Sequence, residues 1–259
     1  MNQEITIVKI GGAFLEDQIL LESFYTSFSE LKGRKILIHG GGQRASKLSR
    51  ELGITPKMVD GRRITDVRSL EVVTMVYAGW ANKKLVSGLQ GQGCNALGLS
   101  GADADLIRAR KRPVSEIDFG FVGDVERVQT TALIRLLDAG FTPVFCALTH
   151  DGNGQLLNTN ADSIAASLAI ALSASYSTKL IYCFEKEGVL RDVNDPESVI
   201  SEIDRYAFEA LRKSGDIATG MIPKLFNSFK ALEEGVGQVC IGSVGLLSGN
   251  APKFTQIIL

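Results

Sequence analysis

Two lysines occupy positions where an unpaired positive charge is costly in this 259-residue chain. Lys9 interrupts the apolar run 7–10, which has the composition of a buried strand, and Lys224 follows Pro223 in the predicted first turn of a helix. A buried ammonium group needs an anion, and the helix macrodipole disfavours a cation at its amino end. Both positions indicate a bound anion such as a ligand phosphate, although Lys9 is also compatible with an edge lysine that extends into solvent.

Glycines follow the first two predicted strands. Gly11 and Gly12 come directly after the first, and Gly40, Gly41 and Gly42 come directly after the second. Loops at the carboxyl ends of parallel strands bind ligands, and glycine-rich loops present backbone amides to anions. Neither loop reads GxGxxG or GxxxxGK[ST], so an ordinary dinucleotide site and a P-loop are excluded. Tight strand-to-helix turns are the alternative explanation.

Polar residues in two other segments could bind a carboxylate or cap a helix. Arg63 lies in a loop that begins with Gly61, and its rigid guanidinium matches a carboxylate, although this loop taken alone favours an ordinary surface arginine. Asn158, Asn160 and Asp162 precede an alanine-rich helix, where Asn160 or Asp162 suits the capping position.

Short apolar runs alternate along the chain with segments whose apolar residues have helical spacing. This pattern predicts the strands and helices on which the residues above lie. Strands are predicted at 5–10, 35–39, 142–147, 179–184 and 238–241, and helices at 16–31, 44–52, 66–89, 130–138, 161–174 and 223–234. Continuously apolar strands between helices indicate a mostly parallel sheet covered on both faces. The basic cluster 108–112 is predicted to be the solvated edge of a hairpin.

The composition excludes several classes of protein. Hydrophobic residues make up 45% of the chain and there are only six prolines, so the chain folds. The 28 basic and 29 acidic residues leave a net charge of −1, which excludes a general attraction to nucleic acid or anionic lipid. The two histidines and four cysteines form no metal-binding pattern, so no metal ligands are predicted. Without a signal peptide or a span of about 18 apolar residues, the sequence predicts a soluble cytoplasmic protein.

Nine colinear motifs resemble the amino acid kinase superfamily and, within it, the N-acetylglutamate kinases of arginine biosynthesis. They are VKIGG at 8–12, HGGG at 39–42, GRRITD at 61–66, EVVTMV at 71–76, ANKK at 81–84, LGLSG at 97–101, GFVGDV at 120–125, LNTNAD at 157–162 and GMIPK at 220–224. The two lysines are typical of the superfamily, whereas the Arg63 loop and the stretch 158–162 are more specific to acylglutamate kinases.

The resemblance implies the amino acid kinase fold, a three-layer αβα sandwich around one mostly parallel open sheet. One continuous domain would comprise an N-terminal lobe, residues 1–175, that binds acylglutamate and dimerises, and a C-terminal lobe, residues 176–259, that binds ATP. The implied reaction is transfer of a phosphoryl group from ATP, with Mg²⁺, to the γ-carboxylate of an N-acyl-L-glutamate.

The resemblance also implies roles for individual residues. Lys9 and Lys224 would stabilise the transition state, and Asp162 would position both lysines. The substrate would be bound by Gly41, Gly42, Arg63 and Asn158. The nucleotide would be bound by Gly11, Gly12, Glu185, Gly188, Val189, Leu190 and Met221.

The chain departs from the family's usual pattern on the ATP side and at its start. Residues 183–188 read CFEKEG where the family usually has a Leu-Thr-Asp-Val stretch before the glycine, and segment 173–179 is a few residues longer than usual. The first predicted strand begins almost at residue 1, without the extra helix of arginine-inhibited members, which implies a homodimer that arginine does not inhibit.

Several alternatives stay open at this point. The acyl group is acetyl by family default, but a succinyl group in a pocket shaped by Arg62 and Trp80 is compatible, and Trp80 in the core of its helix is the competing interpretation. Relatives acting on carbamate, aspartate, glutamate or UMP are rival kinases. A non-catalytic nucleotide or acylglutamate sensor, supported by the altered loop 183–188, and docking of a PII-type regulatory partner are further alternatives.

Overall fold

A central sheet of eight strands organises the computed structural model, which describes residues 3–59, 61–214, 220–249 and 251–259. In chain order the strands are β1 (Glu4–Ile10), β2 (Arg34–His39), β3 (Met58–Val59), β4 (Arg62–Arg63), β5 (Ala96–Leu99), β6 (Ile107–Lys111), β7 (Val122–Val128), β8 (Thr142–Cys146), β9 (Leu148–His150), β10 (Leu156–Thr159), β11 (Ser177–Cys183), β12 (Glu202–Ile203), β13 (Gln238–Gly242) and β14 (Thr255–Ile257). The sheet has the order β12-β14-β13-β11-β1-β2-β8-β5, and every neighbouring pair is parallel except β13 and β14. The predicted mostly parallel sheet is therefore confirmed.

Helices cover both faces of this sheet. They are α1 (Ala13–Glu16), α2 (Gln18–Glu30), α3 (Gly42–Glu51), α4 (Val67–Thr74), α5 (Asn82–Gly91), α6 (Thr130–Asp138), α7 (Ala161–Ser173), α8 (Arg205–Ser214) and α9 (Ile222–Glu233). One apolar layer packs α3, α4 and α6 to α9 against the sheet, and the other packs α1, α2 and α5 against the opposite face. The three-layer αβα sandwich is confirmed.

Side-chain alternation along the strands decides which layer each residue joins. On β1, Ile5 and Ile7 pack on the α7 side, whereas Val8 and Ile10 pack on the α2 side. Lys9 has the parity of Ile5 and Ile7 and faces α7. His39 on β2 has the parity of Leu37, which packs on the α2 and α5 side.

The predicted strands lie within two residues of the observed ones, but two predicted helices are interrupted. The stretch 16–31 is divided at Asp17, whose carboxylate accepts a hydrogen bond from the Leu20 amide and caps α2. The stretch 66–89 contains a π-helical segment, Met75–Ala81, between α4 and α5. Apolar periodicity does not detect these local changes, because the buried face continues through them.

A small ring of four strands, in the order β10-β7-β6-β9, stands beside the main sheet. It contains the predicted hairpin, in which β6 pairs antiparallel with β7. Arg110 and Lys111 are exposed as expected, but Arg112 is half-buried and hydrogen bonds the carboxylate of Asp124. The prediction of a wholly solvated basic edge is therefore wrong at Arg112, because this side chain pairs with Asp124 and lies over the ring of Phe119.

No helix in these described ranges is long and apolar enough to cross a membrane.

Candidate active site

The two lysines meet at one carboxylate. Lys9 Nζ lies 2.7 Å from Asp162 Oδ1, and Lys224 Nζ lies 3.1 Å from Asp162 Oδ2. The three side chains are only 11–13% exposed. The anion that Lys9 requires is thus supplied by the protein, and the edge-lysine interpretation of Lys9 is wrong. One carboxylate for two ammonium groups leaves a formal charge of +1, which is available to a bound anion.

Electrostatics keep this cluster charged. Burial alone would raise the pKa of Asp162, but the Lys9 and Lys224 ammonium groups outweigh it and lower the pKa to about 2. Burial and repulsion from Lys9 lower the pKa of Lys224, while attraction to Asp162 opposes that shift. Asp162 is therefore an ionised hydrogen-bond acceptor at neutral pH and has no proton to donate.

The amino end of α7 carries Asp162, but Asn160 caps the helix. The Asn160 side-chain oxygen accepts hydrogen bonds from the amides of Asp162, at 2.8 Å, and Ser163, at 3.1 Å. The capping interpretation is therefore right for Asn160 and wrong for Asp162, which is free to contact the lysines. A carboxylate in the first turn also interacts favourably with the helix dipole.

The two glycine loops lie side by side at the carboxyl edge of β1 and β2. A Cβ atom on Gly12 would lie 3.9 Å from the backbone nitrogen of Gly42, and a Cβ atom on Gly41 would lie 2.9 Å from the ring of Tyr77. Glycine at position 41 is therefore required by the close approach of this ring. Gly42 is the first residue of α3, so the second loop ends at a helix amino terminus.

A cavity of about 160 Å³ opens on one side of Asp162, and we call it the arginine-lined cavity. Its lining includes Gly41, Gly42, Arg63 and Asn158, the four residues for which substrate binding was predicted. Arg63 Nη2 donates to Gly42 O at 3.0 Å and to Ser46 Oγ at 2.7 Å, so the guanidinium is anchored to α3.

Asn158 is held by the neighbouring strands. Its Nδ2 donates to Thr65 Oγ1 at 2.9 Å, and its backbone nitrogen donates to Phe121 O at 2.9 Å. Asn158 and Arg63 thus both line this cavity, and each is held in place by hydrogen bonds.

A second cavity, of about 330 Å³, opens on the other side, and we call it the apolar cavity. Lys9 and Lys224 reach it from the cluster, and its walls are mainly aliphatic and aromatic. Six of the residues predicted to bind the nucleotide line this cavity: Gly11, Glu185, Gly188, Val189, Leu190 and Met221. Gly12 is not among the lining residues, because it turns toward Gly42 and the other loop.

The altered loop 183–188 forms part of this apolar cavity. Glu185 and Lys186 line it, whereas Glu187 turns away and accepts a hydrogen bond from Ser243 Oγ at 3.0 Å. A Cβ atom on Gly188 would lie 2.7 Å from Thr255 Oγ1 and from Val199 Cγ1. The departure from the family's usual pattern thus changes polar groups at the rim and leaves room for a ligand.

Comparison with known proteins agrees with this geometry. Residues 4–243 match the amino acid kinase family. The chain belongs to that family. It is 54% identical over 241 residues to the acetylglutamate kinase of Bacteroides fragilis, with 93% of this chain and 92% of the relative covered. It is 52% identical over 250 residues to that of Bacteroides thetaiotaomicron, with 96% and 97% covered.

A solved structure with the same fold comes from Streptococcus mutans UA159. It has a TM-score of 0.82 and 26% sequence identity, and the match covers 98% of each chain. The resemblance to the amino acid kinase superfamily is confirmed.

Several residues that shape the site of this amino acid kinase carry no clear signal in the sequence. Tyr182 lies under the lysine cluster, with Lys224 Nζ 5.2 Å from its ring centroid and its hydroxyl donating to Asp162 O at 3.3 Å. In the sequence it is one more residue of a buried strand. Tyr77 and Arg112 also line the arginine-lined cavity, but only the tertiary fold brings them there.

Trp80 belongs to neither predicted environment. It is 38% exposed, with Arg44 Cζ 5.1 Å and Lys84 Nζ 5.2 Å from its ring centroid. It is not a core residue, and it is not among the residues that line the arginine-lined cavity. Arg62, by contrast, does line that cavity.

In the part of the chain that the structure describes, no group of three or more His, Cys, Asp or Glu side chains is placed to hold a metal ion. The carboxylate nearest the reaction centre, Asp162, is already bonded to two ammonium groups. The residues present therefore suit a metal that arrives on a phosphate ligand rather than one bound by protein side chains alone.

Proposed function

We propose that this chain is an ATP-dependent acetylglutamate kinase, a phosphotransferase with a carboxyl group as acceptor. It converts N-acetyl-L-glutamate to its 5-phosphate in the second step of arginine biosynthesis. The observation that carries the proposal is the Lys9–Asp162–Lys224 cluster, which lies between an arginine-lined cavity and an apolar cavity. The relatives at 52–54% identity are named for the same activity.

The reaction needs no general base at neutral pH. A free γ-carboxyl group has a pKa of about 4.3, so the substrate arrives as a nucleophile. One of its oxygens forms a bond to the γ-phosphorus of ATP, the bond from that phosphorus to the β,γ-bridging oxygen breaks, and ADP leaves with the electron pair. The obstacle is repulsion between the anionic carboxylate and the triphosphate.

Lys9 and Lys224 address this repulsion. Both ammonium groups are nearly buried and are fixed by Asp162, so their charge acts in a region from which water is largely excluded. Preorganised charges of this kind stabilise a transferring phosphoryl group without reorganisation during the reaction. Asp162 acts by holding the two lysines in place.

The acceptor binds in the arginine-lined cavity. The anchored guanidinium of Arg63 suits the α-carboxylate, and Asn158 lines the same cavity. The amides of Gly41 and Gly42, in the glycine loop that lines this cavity, are the donors that we assign to the reacting end of the substrate. Each residue thus binds a group that N-acetyl-L-glutamate carries.

ATP binds in the apolar cavity, with the adenine and ribose against Val189, Leu190 and Met221 and the phosphates toward Lys9, Gly11 and Lys224. Mg²⁺ that arrives with ATP would neutralise part of the negative charge of these phosphates. The acylglutamate lobe comprises residues 1–175 and the ATP lobe residues 176–259. This division has support from the lining residues, because residues 40–161 line the first cavity and mostly residues 182–224 line the second.

An assay of ADP release with ATP and Mg²⁺ tests the proposal. N-acetyl-L-glutamate is the substrate, and free glutamate, aspartate and carbamate are the controls for the related kinases. We expect turnover with the acylated substrate only. Protein that binds ATP but turns over none of these substrates would contradict the proposal and favour a sensor.

A second candidate substrate is N-succinyl-L-glutamate, and one observation favours it. Besides Arg63, the cavity is lined by Arg62 and Arg112, and among the described residues Arg112 Nη1 is buried without a hydrogen-bond partner. A succinyl group carries one more carboxylate than an acetyl group, and a buried guanidinium nitrogen without a partner suits it.

Parallel assays of the two acylglutamates distinguish these substrates. If succinyl is the natural group, kcat/KM for N-succinylglutamate exceeds that for N-acetylglutamate, and Arg112→Met removes this difference. If the wild type and Arg112→Met have equal kcat/KM for N-acetylglutamate and neither turns over N-succinylglutamate, N-succinylglutamate is excluded as the substrate.

The proposed enzyme is a cytoplasmic homodimer that acts where ATP is available. An exposed apolar groove between α4 and β10, lined by Leu70, Met75 and Leu156, is the surface that suits a second copy of the chain. Light scattering should give twice the mass of 27.9 kDa, and Met75→Glu should lower it to that of the monomer. A monomeric wild-type protein would contradict the dimer.

A further inference from the structure

Three residues that have no role in the site described so far come from three of the sequence motifs and meet at one buried point. The motif at 39–42 contributes His39, the motif at 81–84 contributes Asn82, and the motif at 97–101 contributes Gly98. His39 is fully buried and Asn82 is 1% exposed. This cluster lies on the α5 side of the sheet, opposite to Lys9, directly behind the Gly40–Gly42 loop.

Hydrogen bonds define the protonation of His39. Its Nδ1 lies 2.7 Å from Gly40 O, and since a carbonyl can only accept, Nδ1 carries the proton. Its Nε2 lies 3.1 Å from Asn82 Nδ2, which donates to it. Burial lowers the pKa of His39 to about 4, against the raising effect of the Gly40 carbonyl, so the ring is neutral at physiological pH.

Asn82 is itself held in one orientation. Its Nδ2 also donates to Val144 O at 2.9 Å, so both amide protons have acceptors. Its Oδ1 accepts from Lys83 Nζ at 3.2 Å. A Cβ atom on residue 98 would lie 2.0 Å from Asn82 Oδ1, so only glycine at position 98 leaves room for this amide.

The geometry of the peptide bond connects this network to the arginine-lined cavity. The Gly40 carbonyl and the Gly41 amide belong to the same peptide plane, and in a trans peptide they point in opposite directions. There are no cis peptide bonds among the described residues. Because His39 holds the Gly40 carbonyl toward the interior, the Gly41 N–H points away from His39, toward the cavity that Gly40, Gly41 and Gly42 line.

We propose that His39 and Asn82 are positioning residues that orient the Gly41 amide for the reacting carboxylate and phosphoryl group. His39 acts through the Gly40 carbonyl, and Asn82 acts through His39. Neither residue is among those that line the arginine-lined cavity or the apolar cavity. The role assigned to the Gly41 amide rests on the proposed function, whereas the hydrogen-bond network can be tested without it.

Three substitutions at position 39 test the role through kinetics. His39→Asn keeps an N–H donor near Nδ1, His39→Gln places its amide near Nε2 only, and His39→Leu removes both polar groups. We expect His39→Gln and His39→Leu to lower kcat about 10- to 100-fold, with the KM for ATP unchanged, because a misplaced donor mainly affects the transition state. His39→Asn should recover most of the lost turnover.

A substitution outside the site supplies an independent test. Gly98→Ala displaces Asn82 and should lower kcat, whereas Gly91→Ala, which meets no atom within 4 Å, is the matched control and should not. Equal kcat in His39→Asn and His39→Gln, or an unchanged kcat in Gly98→Ala, would overturn the proposal. If His39→Leu does not fold, the comparison of His39→Asn with His39→Gln and that of Gly98→Ala with Gly91→Ala still test the proposal.

The tautomer of His39 is measured directly by ¹⁵N NMR of the wild-type protein, which has only two histidines to assign. A proton on Nδ1 and none on Nε2 is the expected result, and a proton on Nε2 would overturn the network. This measurement tests the hydrogen-bond network separately from the proposed function, because its result does not depend on whether the wild-type protein phosphorylates an acylglutamate.

Discussion

The two cavities beside Asp162 differ in how they are suited to bind a ligand. The arginine-lined cavity, of about 160 Å³, carries three guanidinium groups and two glycine amides. The apolar cavity, of about 330 Å³, is lined mainly by aliphatic and aromatic side chains, and its charged lining residues are Lys9, Glu185, Lys186 and Lys224. Charged hydrogen bonds depend steeply on geometry, whereas apolar contact tolerates small changes. Substitutions in the first cavity should therefore have larger and more substrate-specific effects than those in the second.

The largest effect is expected at Lys9 and Lys224, which line the apolar cavity and are bonded to Asp162. Lys9→Ala and Lys224→Ala should each lower kcat about 10²- to 10³-fold, which is the usual cost of one preorganised electrostatic donor. Steady-state kinetics with both substrates measures this. Lys230→Ala is the matched control for Lys224→Ala, since Lys230 also lies on α9 and is exposed. A turnover number near that of the wild type in either variant would remove the lysine from the mechanism.

Asp162→Asn should lower kcat about 10²-fold, because the two ammonium groups lose the carboxylate that fixes them. It should also change the dependence of stability on pH. The folded-state pKa of about 2 lies below the ordinary value of 3.8, so the ionised carboxylate contributes stability above pH 3.8, and this contribution is lost as the pH falls toward 2.

Chemical denaturation between pH 2 and 6 measures that contribution, which we expect to be about 2 kcal/mol in the wild type. Asp162→Asn should lack this part of the slope. A variant that unfolds at neutral pH would show that the side chain is mainly structural.

A change confined to the arginine-lined cavity comes next in size. Arg63→Lys keeps the charge but cannot bridge Gly42 O and Ser46 Oγ while also facing the substrate. We expect the KM for the acylglutamate to rise about tenfold, or roughly 1.4 kcal/mol of binding, while the KM for ATP stays constant. Arg50→Lys, at an exposed position of α3, the helix that Arg63 contacts, is the control. Equal changes in both KM values would argue against separate ligand sites.

The smallest effect is expected in the apolar cavity. Leu190→Ala removes part of one apolar wall, and the loss of about 1 kcal/mol of contact should raise the KM for ATP about fivefold without changing kcat. Ile19→Ala is the control, because Ile19 is 83% exposed. If the KM for the acylglutamate rose instead, the assignment of the two cavities would be reversed.

Much of the fold could be predicted from the sequence, because the signals are local. The apolar run around Lys9 predicts a covered strand, and the glycines after two such strands predict loops at one edge of the sheet. Both follow from the backbone and from side-chain parity. The π-helical segment Met75–Ala81 was not predicted, since the apolar face is the same on either side of it.

The candidate site could be predicted only in part. The sequence alone indicated that Lys9 and Lys224 require an anion, because a buried ammonium group is costly and a cation at the amino end of a helix opposes its macrodipole. It also left Asp162 as a possible cap. Only the tertiary structure decided that Asn160 caps α7 and that Asp162 bonds both lysines, since those contacts join β1, α7 and α9, which are far apart in sequence.

The same division holds for two glycines whose requirement the sequence alone did not explain. That Gly41 must be glycine depends on the ring of Tyr77, and that Gly98 must be glycine depends on the amide of Asn82. The sequence by itself determined the parallel sheet, the glycine loops and the need for charge compensation, because these depend on neighbouring residues. The tertiary structure decided which distant side chains meet at Asp162 and behind Gly40, because such contacts depend on how strands and helices pack.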